Sequence, residues 1–409
     1  MVYPAVLQYF WGFCSGIKYD FDLNRNDLDV PSYLERHFKK FSDDIEIAAS
    51  GSNPLLGTEF CAQVLDNISL IKSICNKLVE IGRINRNGQI KDAFESAYNL
   101  FSSMEPYYLS RLSWAGRDGD YYRIRQGDLR IKLGDDSRKK KAELFHIKDS
   151  KRNLIGAYRF SIPGFPCLYL TSGFELGWFE SGMPKQFSYC RMLIEESGDN
   201  ALRLIDISNR PVELLSGIRV WILNAKDNQD ELRKIHNYFL NYIITYPLAA
   251  ACSIKVKDRD DKFVEEYVIP QMFMNWVREN GSHDGIRYKS SLNTTLVQGM
   301  GAVNIALPVK KFRDDGLCER LTSKIAVSDI AYLDVNEEFK KYQQYLQDII
   351  DFKIDLWDKR IRENYSGGYV LKLIGICETI TVTYNSIING SHLNDGSSLD
   401  RVGKQMFPK

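Results

Sequence analysis

In "FCAQVLDNISLIKSICNKLVEIG", residues 60–82, the apolar Val64, Leu65, Ile68, Ile71 and Leu78 return at three- and four-residue steps. That period lines one stripe of a helix, and the stripe demands a second element to cover it. Gly82 reads as the helix stop and "NRNGQ" as a polar turn, with a second amphipathic helix in "IKDAFESAYNLFSSM". From about residue 119 the period changes. "YYRIR" alternates like a strand and "PCLYL" is a short buried one, while "GIRVWIL" and "VNIALPV" are further strand candidates rich in β-branched and aromatic residues. Helical segments separate them, among them "NQDELRKIHNYFLNYII" and "VIPQMFMNWVREN". Irregular alternation of this kind predicts an α+β fold rather than a regular parallel βαβ series. After residue 311 the chain turns charged, with a long helix capped by Asn336 and then a polar tail. The expected division is a helical N-terminal region over 1–118, a mixed domain over 119–310 with a helical insertion near 226–276, and a mainly helical extension over 311–409.

Composition removes several function classes. A chain of 409 residues favours two or three structural units, and 44% apolar with 26% charged residues is ordinary globular usage. Lys+Arg 54 against Asp+Glu 53 leaves almost no net charge, so a general attraction for nucleic acid or anionic lipid is not expected. The eight cysteines form no CxxC pair, and the five histidines show no metal-ligand spacing. A metal site is therefore not expected, and the scattered thiols fit a reducing cytosol. "AVLQYFWGFC" is too short to span a bilayer and lacks the basic region of a signal peptide; it reads as a buried element of a cytoplasmic protein. No Walker A, HExxH or GxSxG stretch occurs, "GMGAVN" lacks a third glycine, and "RKKK" reads as a solvated loop.

The stretch "YRFSIPGFPCLYLTSGFELGWFE", residues 158–180, carries the chemistry. Pro163, Gly164 and Pro166 enforce a turn before the short strand Leu168-Tyr169-Leu170. Ser172 and Glu175 form an S-x-x-E capping box, which predicts a helix from about Gly173. On that helix Glu180 shares the inward face with Leu176 and Gly177, and the missing side chain at Gly177 leaves room for a ligand or backbone. Tyr169 and Glu180 thus converge on one strand–helix junction; the plainer alternative is a surface acid and a core tyrosine. In "DYYRIRQGD", Arg123 and Arg125 share a strand face, and inward arginines need an anionic partner unless the strand simply has a basic surface. "HDGIRYKSS" gives a short strand followed by Ser290 and Ser291, by itself an ordinary turn.

In this order these segments resemble the RES-domain family, named for its Arg, Glu and Ser. The resemblance lies in Tyr122-Arg123, Tyr158-Arg159-Phe160 with Pro163-Gly164, Tyr169, Glu180 and "DGIRYKS" ending at Ser290. It covers roughly residues 120–310, under half the chain. The Gly-Arg pair of the family is interrupted here as "GAYRF", and the N- and C-terminal additions are long. The resemblance implies an ADP-ribosyltransferase-like core of mixed sheet and helices, with NAD+ as substrate rather than cofactor. It implies cleavage of the nicotinamide–ribose bond by hydrolysis or by phosphorolysis with phosphate as co-substrate, in a bacterial toxin or defence effector. Transfer of ADP-ribose to a protein or nucleotide is the alternative, and a non-catalytic module binding an NAD-like ligand or a partner is the second. Glu180, Arg123 and Tyr169 would be catalytic; Arg123, Arg159, Tyr169 and Ser290 would bind substrate, with Ser291 able to replace Ser290. An antitoxin or immunity partner and a homo-oligomer are the partners implied.

Overall fold

A computed structural model describes residues 23–50, 58–109, 120–129, 142–194, 201–209, 211–225, 228–258, 261–291 and 303–334. "AVLQYFWGFC", "RKKK", the Asn336-capped helix and the polar tail lie outside these residues. The architecture is α+β. The amphipathic helices α1 (Val30–Ser50), α2 (Thr58–Asp66), α3 (Ile68–Arg86) and α4 (Ile90–Met104) come first. On α3 the buried side chains Ile71, Ile74, Cys75, Leu78 and Ile81 follow the predicted stripe. The expected single helix across residues 60–82 is two, divided at Asn67.

Gly82 is not the stop. α3 continues through it to Arg86, and the turn falls at Gly88, whose φ is +81°. A Cβ on Gly82 would stand 3.0 Å from Pro31 Cγ, so its role is close packing against α1.

The described strands are β1 (Asp120–Gln126), β2 (Cys167–Thr171), β3 (Gln186–Ile194), β4 (Leu204–Asp206), β5 (Gly285–Lys289), β6 (Val303–Pro308), β7 (Ile325–Val327) and β8 (Ala331–Asp334). They form one sheet in the order β4-β5-β6-β2-β1-β3-β7, with β8 also on β3. The pairings are antiparallel except for parallel β4–β5.

The expected strand "GIRVWIL" is instead part of helix α6 (Pro211–Ala225). Its buried Leu214, Ile218, Ile222 and Ala225 recur at helical spacing, and Pro211 occupies the first helical position, where its missing N–H costs nothing. The β-branched content suggested a strand, but burial on one stripe decided for a helix.

Helix α7 (Gln229–Ala251) starts at Asn228, whose Oδ1 accepts from the Asp230 and Glu231 amides. Helix α8 (Val268–Glu279) packs against α4 and the sheet. One apolar core joins α1–α4 and α6–α8 to the sheet face bearing Ile205, Ile286 and Ala306. A second core lies on the opposite face, around Tyr121, Leu168, Leu170, Ile305 and Leu307, and takes in Leu321 of helix α9 (Glu319–Lys324).

Candidate active site

Strand register decides which predicted residues meet. Tyr122 lies opposite Thr171, Thr171 opposite Asn304, Tyr169 opposite Ala306, and Asn304 opposite Tyr288. Directly opposed residues share a face and alternate residues return to it, so Tyr122, Tyr169, Thr171, Asn304 and Tyr288 line one face. Ser290 follows on the same side just beyond β5. Over this face lies the short helix α5 (Phe174–Glu180), which ends in Glu180.

The capping box does not form. Gly173 is the extended N-cap residue of α5 and no side chain caps the helix. Ser172 continues the β2–β6 pairing instead: its amide donates to Val303 O, and its Oγ accepts from Val303 N at 3.3 Å. A strand residue still engaged with its neighbour is unavailable as a cap. Gly177 admits protein rather than a ligand, because a Cβ there would sit 2.8 Å from Thr171 Oγ1 and 3.1 Å from Ile124 Cδ1. This close approach seats α5 on β1 and β2.

Glu180 is half-buried, and its Oε1 accepts from Ser290 Oγ at 2.6 Å and from Asn304 Nδ2 at 2.8 Å. Ser290, rather than Ser291, is thus the serine at this carboxylate. The local pattern gives Asn304 no role, and its one signal is a polar residue within the apolar "VNIALPV", as Tyr169 is within its own strand. Tyr288 is buried beside this group; burial first, then the Glu180 charge, push its phenol well above the ordinary range.

Tyr169 and Glu180 share the face without a hydrogen bond to each other. The Tyr169 hydroxyl meets Ser161 Oγ at 2.7 Å, and its ring meets Tyr158 edge-on at 6.1 Å. Burial raises the Tyr169 pKa well above its usual value, so the hydroxyl stays protonated.

Arg159 commits its terminal nitrogens to the protein while lying close enough to Tyr288 and Glu180 for their charges to act on it. It is 7% exposed and donates from Nη1 to Cys252 O and from Nη2 to Ile254 O, both at 2.9 Å. Its guanidinium also lies over the Tyr267 ring at 5.4 Å. The last turns of α7 are buried, so the helix-end carbonyls need donors there, and a cation is favoured at that end of the dipole. Arg159 braces α7 against the Tyr158–Ser161 bridge, which Gln271 of α8 also holds through Tyr158 O and Ser161 O.

Arg123 and Arg125 share a face as expected, but it is the face opposite Tyr169, the side of Tyr121 and the second core. β1 and β2 pair only at Tyr122 and Thr171, and beyond that point Arg123 Nη1 reaches across to Tyr169 O at 2.9 Å. Its Nε is buried with no hydrogen-bond partner among the described residues, and so is that of Arg125. Burial, and then the Arg125 charge, pull the Arg123 pKa below the normal arginine value. Among the described residues no cluster of His, Cys, Asp and Glu could hold a metal ion, and no helix is long and apolar enough to cross a membrane.

The chain is 31% identical over 273 residues to a Bacillus subtilis (strain 168) protein named "Putative toxin YopC". The match takes in 64% of this chain and 58% of that protein, so the chain spans less than two thirds of its relative's length. No family model matches the chain. No solved structure matches it either.

Proposed function

We propose that the cleft beside Glu180 binds NAD+ and that the protein cleaves the bond between nicotinamide and ribose. The Glu180 carboxylate carries this reading: it is half-buried at the junction of α5 with β5 and β6, and both of its hydrogen bonds fall on Oε1. When the C1′–N bond breaks, its electron pair stays on the nicotinamide nitrogen, which departs neutral. Positive charge grows over C1′ and the ring oxygen, as in glycoside cleavage. No acid is needed at the leaving group; a fixed carboxylate is. Glu180 Oε2 would stabilise that charge and accept a hydrogen bond from a ribose hydroxyl. An oxygen of water or phosphate then bonds to C1′, and any proton it sheds passes to Glu180 or to solvent.

Arg123, on the opposite face of the sheet with Nη1 on Tyr169 O, would hold the strand that presents Tyr169 rather than meet the ligand. Tyr169 offers a ring and a protonated hydroxyl for the nicotinamide or ribose. Ser290 holds Glu180 and stands beside the same sugar. Arg159 would serve this site as a brace, with both terminal nitrogens held by main-chain carbonyls. The RES-domain resemblance and the likeness to a protein named as a toxin support the same reading: a toxin or defence effector consuming NAD+, restrained by an antitoxin or immunity partner.

The test is to incubate the full chain with NAD+ labelled in its adenosine half, with and without phosphate, and to separate the products. Free ADP-ribose identifies water as acceptor, its phosphate ester identifies phosphate, and label on a macromolecule identifies a transferase. NAD+ bound yet intact under every condition would make the site a binding module, and neither binding nor loss would overturn the proposal.

A further inference from the structure

Asn304 sits in β6 between Thr171 and Tyr288 and is only 3% exposed. The orientation of its amide is fixed by chemistry. An ionised carboxylate can only accept, so the Asn304 nitrogen must face Glu180. Oδ1 is then left buried without a hydrogen-bond partner among the described residues. An orphaned acceptor inside a strand destabilises the fold, and an apolar side chain of the same size would remove that penalty. The rest of β6 is Val303, Ile305, Ala306, Leu307 and Pro308. Apart from Glu180 and the neighbouring Tyr288 phenol, nothing in the apolar packing of β6 calls for an amide at this position.

Two donors on one oxygen achieve what one does not. The terminal torsion of a glutamate is broad and nearly two-fold, so a carboxylate held by one hydrogen bond still swings. Ser290 reaches Oε1 from the end of β5 and Asn304 reaches it from β6, and together they fix the carboxylate plane. Oε2 accepts no hydrogen bond among the described residues and is left pointing in one direction. We infer that Asn304 is a positioning residue for Glu180, retained against the stability of the fold so that Oε2 meets the ribose of the bound dinucleotide. This rests on the NAD+ reading above.

Asn304→Leu and Asn304→Asp, made in the full chain, test the two halves of the inference through melting temperature, kcat and KM for NAD+. Asn304→Leu is expected to melt at or above the wild-type temperature. Asn304→Asp keeps the shape but replaces the donor by an acceptor, and it is expected to lose about 100-fold in kcat with KM little changed, because orientation acts in the transition state. A leucine variant melting well below wild type overturns the stability half. An aspartate variant with wild-type kcat, or one in which KM alone suffers, overturns the positioning half. If wild-type protein neither binds nor consumes NAD+, the reading falls and this role with it. If wild type turns NAD+ over and Asn304→Asp does so equally well, only the role of Asn304 falls.

Discussion

Arg159 and Glu180 open and close one short stretch of chain, both charged and both drawn in from solvent, yet their surroundings differ in kind. Arg159 has both terminal nitrogens on main-chain carbonyls at and just past the end of α7 and a ring beneath its guanidinium. Glu180 has one oxygen held twice and the other unheld among the described residues. Burial of a charge therefore does not by itself mark function. What separates a brace from a reactive group is whether its hydrogen-bonding capacity is already used within the protein. Arg123 falls between the two, with Nη1 on a main-chain carbonyl and Nε buried without a hydrogen-bond partner among the described residues.

The sharpest way to break this comparison is to neutralise each end in turn. Glu180→Gln keeps an acceptor for Ser290 and removes the charge, so NAD+ consumption should fall about 1000-fold, the scale of a lost transition-state electrostatic contact. Its melting temperature should stay near wild type. A variant that still consumes NAD+ at the wild-type rate would remove Glu180 from the chemistry.

Arg159→Ala should show the converse. Two main-chain carbonyls, of Cys252 and Ile254, lose their donors and a packed cation disappears, so the fold should lose about 3 kcal/mol in denaturant unfolding. Arg159→Lys should recover little, since one ammonium cannot reproduce the two-pronged geometry. Normal stability combined with lost NAD+ affinity would make Arg159 a ligand contact after all.

Gly177→Ala probes the seat beneath Glu180. The added methyl meets Thr171 Oγ1 at 2.8 Å and Ile124 Cδ1 at 3.1 Å, so the Thr171 and Ile124 side chains or α5 itself must shift, and the prediction is that α5 moves. Overpacking of this kind costs about 2 kcal/mol. NAD+ turnover should fall more than stability alone explains, because the helix that moves carries Glu180 at its last residue. Equal turnover per folded molecule would mean that Glu180 tolerates displacement.

Much of this arrangement was legible in the chain. The stripes of α3 and α4, the strands β1, β2 and β6 and the turn at Gly164 all follow from local period and turn chemistry. Where local pattern and structure part, one cause recurs. Local preference makes Ser172 a cap, Gly82 a stop and "GIRVWIL" a strand, and in each case a distant partner decides otherwise: Val303, Pro31 and the helical core. The face of Arg123 was equally hidden. Alternation puts Arg123 and Arg125 together, but only register with β2 shows that Tyr169 is on the other side. Asn304 could have been noticed as a lone amide among apolar strand residues; its meeting with Glu180 depends on pairings far apart in sequence.

The smallest effect tests the link between brace and cleft. The bridge between Tyr158 and Ser161, clamped by Arg159 on one side and Gln271 on the other, presents the Ser161 hydroxyl to Tyr169. Ser161→Ala removes that partner from a buried phenol and should cost about 1 kcal/mol. If the brace matters to the site through this contact, the Tyr169 ring is less well held and KM for NAD+ should rise severalfold while kcat holds. Tyr169→Phe should then leave Ser161→Ala with nothing further to remove, so the double variant should lose no more than the worse single one. Fully additive losses would mean that Ser161 and Tyr169 act separately, and that the helical brace ends at the bridge without reaching the cleft.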